Sequence, residues 1–356
     1  MGRETGLELL SLPIRGHRTI SSLGATAGLL AVIASGCAAS EPVDGLGSRA
    51  AHPALTIYSP AAPPNMLWSI NEAIGATLSA CVVVGEVETV AVALPDAINH
   101  IGALPDRAGH LAIVTTADFL PAVRGEGPDW HRYVRAHDDL KFVASLYEVG
   151  IGMMVFDEAI RTPADLKGKR IAVPRRPSSL RVMAEAVLHD AWGLLDEVTL
   201  VDLPPHAVAE AAEAGRIDAT TWNLMTETPD GFRPLLPDLS KMGRWLSVSA
   251  GDIERINAGN TFTTEAVTVA GARLLSFRQA LSAWSATADA QVVAILHCLG
   301  AAPATAMGDW PGLRDIWVHP AALKFYRRSD PAYLQTRHPG ALEARITEQE
   351  RTEYEP

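Results

Sequence analysis

Cysteine is scarce in this sequence, and histidine is not arranged for metal binding. Three cysteines occur among 356 residues, Cys37, Cys81 and Cys298, and none belongs to a CxxC motif. The eleven histidines are scattered, without the short spacings that bind a metal ion. This pattern excludes a disulfide-rich scaffold and a cysteine-based zinc site. We therefore expect neither a metal nor a cofactor.

Short catalytic motifs and an excess of basic residues are also missing. The sequence contains no HExxH, GxSxG or GxxxxGK[ST] motif, so it predicts no catalytic residues. Lys and Arg number 30 against 41 Asp and Glu, which gives a formal net charge of -11. General nucleic-acid binding needs a basic face, so nucleic acid is not an expected partner. A small anionic ligand remains compatible, because a local pocket can oppose the field of the whole protein.

The first 54 residues have the pattern of a targeting segment followed by a tether. Basic residues precede an apolar run over Leu23–Ala34, which is short for a membrane span and has the order of a signal peptide. Small residues stand directly before Cys37, as in a bacterial lipobox, although Ala34 replaces the usual Leu. We expect residues 1–36 to be a lipoprotein signal peptide, Cys37 to be lipidated, and residues 37–54 to be a tether. Plain secretion and an uncleaved anchor are the alternatives.

Strand-like segments alternate with segments of helical periodicity from Leu55 onwards, and the first helical pattern is carried by Met66, Leu67, Ile70, Ile74 and Leu78. The strand-like run over Lys169–Pro174, for example, precedes a helical pattern over Ser179–Trp192. Such alternation predicts the α/β class, with mixed or parallel sheets flanked by helices. A long helical pattern is also expected between Phe277 and Leu299. The segment Ala122–Asp139 is irregular and predicts a surface excursion.

The stretch PRRPSS at residues 174–179 places polar groups between a predicted strand and a predicted helix. The start of a helix offers unpaired backbone N–H groups and the positive end of the helix dipole. Ser178 or Ser179 can cap this helix, and the forked donors of Arg175 and Arg176 suit a carboxylate or a phosphate. The stretch predicts an anion-binding turn at the ligand edge of a sheet. A capped helix with solvent-facing arginines is the alternative.

Four stretches of the chain resemble, in the same order, the TAXI family of solute-binding proteins of TRAP transporters. They are HLAIVTTAD (residues 110–118), TPADLKGKRIAVPRRPSSLRVMAEAVLHDAWGL (162–194), AVAEAAEAGRIDATTW (207–222) and DIWVHPAALKFYRR (315–328). Asp165–Arg170 with the two serines is the strongest piece, and Ala321 stands where the family usually has Gly. The similarity extends from about Leu55 to about Tyr333.

This resemblance implies a two-lobed periplasmic-binding-protein fold with a hinge between the lobes. Residues 55–146 plus 268–330 would form lobe I, residues 147–267 lobe II, and residues 331–356 a C-terminal tail. A small solute, a carboxylate or another anion, would bind in the cleft between the lobes and be delivered to TRAP membrane subunits. The protein would be extracytoplasmic and held at a bacterial membrane by the lipid anchor.

The resemblance also indicates which residues face the ligand. The matching positions are Ser59, Asn65, Thr115, Thr116, Asp118, Arg175, Arg176, Ser178, Ser179, Trp222 and Asn223. Each of these could equally serve turn chemistry. The pocket is expected to be remodelled, because SPAAPPNMLW at Ser59–Trp68 replaces a glycine-rich turn. Two extra arginines in the second turn would suit a more anionic ligand.

Several alternatives remain open on the sequence alone. The chain could be a lipid-anchored receptor or sensor component, or an enzyme on the same fold with Asp118 as its acid or base. It could also be a structural protein whose cleft is filled by proline, Met66 and Trp68 side chains. His319 is interpreted as scaffold. Cys81 and Cys298 could form a disulfide or remain two buried thiols.

Overall fold

The protein folds into two β-sheets with helices packed against them, so the predicted α/β class is confirmed. The computed structural model describes residues 55–60, 66–81, 86–92, 94–222, 224–228, 231–260, 264–300 and 317–329. Cys37, Asn65 and Asn223 lie outside these residues, as do the predicted signal peptide, the tether and the C-terminal tail.

Thirteen strands are present in the described part of the chain. They are β1 (Leu55–Ser59), β2 (Val87–Ala91), β3 (His110–Thr115), β4 (Leu140–Ile151), β5 (Met153–Val155), β6 (Arg170–Val173), β7 (Thr199–Asp202), β8 (Ala219–Thr220), β9 (Leu224–Thr228), β10 (Gly231–Pro234), β11 (Arg244–Leu246), β12 (Glu265–Val269) and β13 (Ala272–Trp284).

Eight α-helices accompany these strands in the same described ranges. They are α1 (Met66–Ala80), α2 (Asp96–Gly102), α3 (Thr116–Arg124), α4 (Ser179–Ala186), α5 (Pro205–Glu213), α6 (Ala250–Gly259), α7 (Asp289–Leu299) and α8 (Pro320–Ser329). Helix α4 continues as a π-helical turn over Val187–Ala191. Helix α1 buries Leu67, Ile70, Ile74 and Leu78, which confirms the helical spacing of apolar residues in the sequence.

The first sheet is mixed, with strand order β10-β9-β4-β13-β3-β1-β2 and β12 paired to β13. Strands β2, β1 and β3 run parallel, while β13 lies antiparallel between β3 and β4. The second sheet has the order β11-β5-β8-β6-β7, and its strands β7, β6 and β8 run parallel. The carboxyl ends of β3 and β6 each lead to a helix start, and these two helices form the walls of the site described below.

The chain passes from the first sheet to the second at Gly152, between β4 and β5. A Cβ at this position would lie 2.6 Å from Cδ2 of Leu274 and 2.7 Å from ring carbon Cε3 of Trp245. Glycine is therefore required here by the close approach of two neighbouring side chains. Strands β9 and β10 fall within the range expected for lobe II, and β12 begins within it, yet all three pair in the first sheet.

The prediction of a helix between Phe277 and Leu299 was wrong for the first part of that range. Residues up to Trp284 belong to β13, whose 13 residues are almost all buried between β3 and β4, and helix α7 begins only at Asp289. A strand buried on both faces has a continuous run of small and apolar residues rather than an alternation. Such a run cannot be distinguished from a buried helix by its periodicity.

Two further sequence questions are settled by packing. Cys81, just after α1, and Cys298 on α7 form a disulfide with Cα atoms 6.1 Å apart. His319 is buried, donates from Nε2 to the carbonyl of Thr287 at 3.1 Å, and accepts at Nδ1 from the N–H of Ala321. Burial lowers the pKa of His319, and both ring nitrogens are used within the scaffold.

Candidate functional site: a cleft between two helix starts

A cleft of about 430 Å³ lies between α3 and α4, which follow β3 and β6. This volume is within the range of small-molecule pockets. Its lining comes from α3, the loop after it, α4 and the end of α6, and comprises Ala117, Asp118, Pro121, Gly127, Pro128, Trp130, His131, Ser179, Val182, Glu185, Ala186, His189, Asp190, Leu195, Gly259 and Asn260. One wall of the cleft therefore comes from residues that precede Gly152 in the chain, and the other from residues that follow it.

Helix α3 begins with a buried carboxylate held by hydrogen bonds. Thr115 caps the helix: its hydroxyl accepts from the N–H of Asp118 at 3.1 Å and donates to Oδ2 of Asp118 at 2.5 Å. Oδ1 of Asp118 accepts hydrogen bonds from Nε2 of His131 at 2.6 Å and from the hydroxyl of Tyr133 at 2.9 Å. Asp118 is only 2% exposed, so these donors take the place of water around its charge.

The charge state of Asp118 follows from this environment. Burial acts to raise the pKa of Asp118, as it does for any carboxyl group removed from water. The charge of His131, together with hydrogen bonds from His131, Ser179 and Thr115, outweighs burial and lowers the pKa. Burial and the Asp118 charge raise the pKa of Tyr133 well above its ordinary value. Asp118 is therefore an ionised anchor at neutral pH, and Tyr133 remains a phenol that donates to it.

Helix α4 meets Asp118 from the opposite side of the cleft. Ser178 is its N-cap in extended conformation but makes no side-chain cap hydrogen bond, and Ser179 is buried at the first helical position. Ser179 lies close enough to Asp118 to help lower the pKa of its carboxyl group, so the starts of the two helices meet there. The N-terminal N–H groups of α4 thus lie beside the cleft, where the positive end of the helix dipole favours negative charge.

The two arginines of the turn before α4 have different surroundings. The guanidinium of Arg176 stacks on Trp130, 4.4 Å from the ring centroid, and donates to Oε1 of Glu185 at 2.5 Å. Arg175 is exposed. A third cation, Arg181, is 6% exposed and bonds both Glu185 and Asp202 at 2.6 Å. Arg176 therefore bridges the two walls of the cleft through Trp130.

His131 is a residue of the cleft that sequence reasoning did not select. It is 3% exposed, lines the cleft, and has no hydrogen-bond partner for Nδ1 within the described residues. One weak signal is present in the sequence, the concentration of basic and imidazole groups around Trp130 in the segment Ala122–Asp139. Its contact with Asp118 depends on tertiary folding and could not be read from spacing.

The other predicted ligand residues in the described ranges lie outside this lining. Ser59 is buried and accepts from Asn71, which in turn accepts from the hydroxyl of Tyr147 at 2.8 Å. Thr116 accepts from the backbone N–H of Arg278 at 3.1 Å, and Trp222 donates from Nε1 to the carbonyl of Leu203 at 2.8 Å. Of the predicted set, Asp118 and Ser179 line the cleft, and Thr115 and Arg176 contact its lining.

Two other kinds of feature are absent from the part of the chain that the structure describes. No group of three or more His, Cys, Asp or Glu side chains there is placed to hold a metal ion. Among the same residues, no helix combines the length and the apolar character needed to cross a bilayer.

Part of the chain matches a known protein family. Residues 133–281 match the family described as NMT1/THI5 like. This segment includes α4 and most of the cleft wall to which α4 belongs. Helix α3, in the opposite wall, precedes the segment. The taurine-binding periplasmic protein of Escherichia coli is 33% identical over 94 residues, which cover 26% of this chain and 29% of that protein. The match therefore spans less than a third of that relative.

Two solved structures also show a distant similarity to this chain. MatC from Rhodopseudomonas palustris, solved with bound malate, has a TM-score of 0.45 and 13% identity, and the match covers 69% of this chain and 83% of that one. The alkanesulfonate-binding protein SsuA from Xanthomonas axonopodis, bound to MOPS, has a TM-score of 0.38 and 17% identity over 69% of this chain and 71% of that one.

Proposed function

We propose that this chain is an extracytoplasmic solute-binding protein that captures a small anionic solute in the cleft between α3 and α4. The observation that carries the proposal is the cleft itself, about 430 Å³ in volume and bounded by two helix starts that share Asp118. A pocket of this size with a few fixed polar groups is typical of small-molecule recognition. The match to the NMT1/THI5 like family and the similarity to a taurine-binding periplasmic protein support it.

The anionic end of the solute is proposed to bind at the start of α4. The hydroxyl of Ser178 and the free N–H groups of the first helical turn, including that of Ser179, would donate to a carboxylate or sulfonate, as helix starts commonly do for anions. Trp130 would form an apolar wall for the remainder of the solute. Arg176 would act indirectly, through its stack on Trp130. The other residues of the predicted ligand set, of which Ser59 is the first and Asn223 the last, stay predictions.

The finer assignment is delivery to a TRAP-type membrane transporter by a lipid-anchored member of the TAXI family. It is supported by the four ordered sequence stretches and by the cysteine pattern around Cys37. Lipidation would hold the protein near the membrane components that it serves. Mass spectrometry of protein from the native membrane would detect a diacylglyceryl group on Cys37; an unmodified mature chain would contradict the anchor.

The binding proposal is tested by a thermal-shift screen followed by isothermal titration of the purified protein. The panel contains short carboxylates, amino acids and sulfonates, including succinate, glutamate and taurine. A ligand that binds only the folded state must raise the melting temperature. We expect at least one anion to do so with saturable heat and to be recovered unchanged. No shift with any anion, in protein shown to be folded and ligand-free, would overturn the proposal.

A further inference from the structure

We infer that the solute is an extended molecule with its anionic group at the start of α4 and an ammonium group at the opposite end of the cleft, beside Asp190. The inference rests on the proposed function and deepens it, because it names the class of solute. That class is an ω-amino carboxylate or sulfonate, in which an alkyl chain separates the two charges. The length of the cleft and the charges along it carry the inference.

One face of α4 and of its π-helical continuation forms a side of the cleft along its length. The lining residues Ser179, Val182, Ala186 and Asp190 recur every three or four positions, as residues on one face of a helix do. Ser179 and Asp190 are eleven positions apart in the chain, which corresponds to roughly 15 Å along a helix. A solute that contacts both ends must therefore be extended. An α-amino acid is too short, because its two charged groups are bonded to the same carbon atom.

The middle of the cleft is suited to an alkyl chain. Trp130 lines it from the loop after α3, and Val182 lines it from α4. Glu185 is the charged side chain of this part, and Arg176 and Arg181 both donate to its Oε1. An alkyl chain buries apolar surface against such a lining and needs no hydrogen-bond partner.

Asp190 differs from the other carboxylates of the cleft. Three carboxylates line it in the described part of the chain: Asp118, Glu185 and Asp190. The first is buried among hydrogen-bond donors, and the second is bonded to two arginines. Asp190 accepts from Nδ1 of His189 and Nδ2 of Asn260, each at 2.8 Å, and its side chain is 18% exposed. Since a carboxylate can accept about four hydrogen bonds, Asp190 is the negative charge that a cation of the solute can reach.

Asn260 adds an acceptor at the same end of the cleft. It follows the last residue of α6, and its Nδ2 donates to Asp190 and to the carbonyl of Ile256, the latter at 2.9 Å. Its Oδ1 has no hydrogen-bond partner within the described residues. The negative end of the α6 dipole lies here as well. An ammonium group brings a positive charge and three N–H donors, which match these acceptors.

Two other basic side chains lie near this end. Arg255 donates to the carbonyl of Ala191 at 2.8 Å and to Asp252. His189 is 68% exposed in its side chain, and its bond to Asp190 raises its pKa. A charged His189 would compete with an ammonium group for Asp190. The test is therefore made at about pH 9, well above the ordinary histidine pKa, where an alkyl amine is still charged.

Matched acids with and without an amine test the inference. Isothermal titration of the purified protein compares 4-aminobutanoate with butanoate, 6-aminohexanoate with hexanoate, and 8-aminooctanoate with octanoate. Asp190→Asn removes the charge and keeps the shape of the side chain. Asp196→Asn is the matched control, because Asp196 is exposed near the cleft and outside its described lining.

We expect the preference for the amine to rise with chain length, to about tenfold or more for 8-aminooctanoate over octanoate and none for the shortest pair. Asp190→Asn should reduce the long-chain preference to about twofold or less, whereas Asp196→Asn should keep it. A preference as large for the shortest pair would contradict the extended geometry.

Two other results separate this inference from the proposed function. Acids that bind equally well without the amine, or a preference that survives in Asp190→Asn, would overturn the inference and leave anion binding in the cleft standing. If no member of either series binds, the inference fails, and the panel of short carboxylates, amino acids and sulfonates decides the proposed function separately.

Discussion

Arg176 lies over the indole ring of Trp130, with its guanidinium carbon 4.4 Å from the ring centroid. The two residues come from opposite walls of the cleft, since Trp130 is in the loop after α3 and Arg176 precedes α4. A cation over an aromatic face stabilises by about 0.5–2 kcal/mol, more when it is desolvated. The pair therefore favours the arrangement in which the two walls face each other across the cleft.

Replacement of Arg176 is expected to weaken solute binding indirectly. Arg176→Ala removes the stack on Trp130 and one partner of Glu185, so we predict an affinity lower by about three- to tenfold for the best solute of the panel. Arg175→Ala is the matched control, because Arg175 is exposed and adjacent. Isothermal titration measures both variants. Equal affinities for the two variants would show that the stack does not contribute.

A buried histidine away from the cleft predicts acid sensitivity. His137 is 1% exposed, and burial, followed by the charges of Arg135 and Arg107, lowers its pKa from 6.5 to about 4. The folded-state pKa lies below the unfolded one, so the unfolded chain binds the proton first as the pH falls. Stability is therefore complete above 6.5 and is lost progressively down to about 4.

We expect the free energy of unfolding to fall by about 1–2 kcal/mol between about pH 7 and about pH 5 because of His137. Urea denaturation at the two pH values measures this change. His137→Gln should reduce the difference by the same amount. If the variant keeps the full pH dependence of the unmodified protein, other groups account for it.

Substitution by alanine is expected to have opposite effects on stability at two glycines, Gly152 at the crossing and Gly251 in α6. Gly152→Ala forces a methyl group against Leu274 and Trp245, which costs about 1–3 kcal/mol of stability when the neighbours cannot move apart. Gly251→Ala is the control, because the nearest atom to its Cβ, on Arg255, is 3.6 Å away within α6. An alanine in an open helical position stabilises by about 0.5–1 kcal/mol relative to glycine.

Thermal denaturation distinguishes the two variants. We predict a lower melting temperature for Gly152→Ala and an unchanged or higher one for Gly251→Ala. A Gly152→Ala variant as stable as the unmodified protein would mean that the junction of β4 and β5 has room that the structure does not show.

The disulfide between Cys81 and Cys298 ties α1 to α7 across a sequence separation of 217 residues. A cross-link of this kind restricts the unfolded chain, and its loss typically costs about 2–4 kcal/mol. The double variant Cys81→Ser, Cys298→Ser should therefore melt at a lower temperature than the oxidised protein and be insensitive to dithiothreitol. Unchanged melting of the native chain on complete reduction would contradict a stabilising role.

Local features of the fold could be predicted from the sequence, and contacts between distant segments could not. The spacing of Leu67, Ile70 and Ile74 predicted α1, and the polar turn before Ser179 predicted the start of α4. The helix expected from Phe277 was wrong because a strand buried on both faces lacks alternation. Burial on both faces is a property of the sheet and not of the segment.

The candidate site, like the fold, was predicted only in part from the sequence. Asp118 was selected because the resemblance places it in a ligand-facing loop, and Ser179 because it stands at the start of a predicted helix; both line the cleft. His131 was not selected, because its place in the site depends on the contact with Asp118 and on the lack of a partner at Nδ1, and the fold is needed to see both. Arg176 was selected for its charge, whereas its contacts are with Trp130 and Glu185.

The central claim is that a small solute occupies the cleft between α3 and α4, and Val182→Trp tests it most directly. Val182 lines the cleft on α4, so an indole there fills space that the solute needs. Glu213→Trp places the same side chain on an exposed position at the end of α5. Isothermal titration with the best solute of the panel should show binding weakened by about tenfold or more in Val182→Trp and unchanged in Glu213→Trp. Full affinity in a folded Val182→Trp protein would place the solute elsewhere and contradict the account.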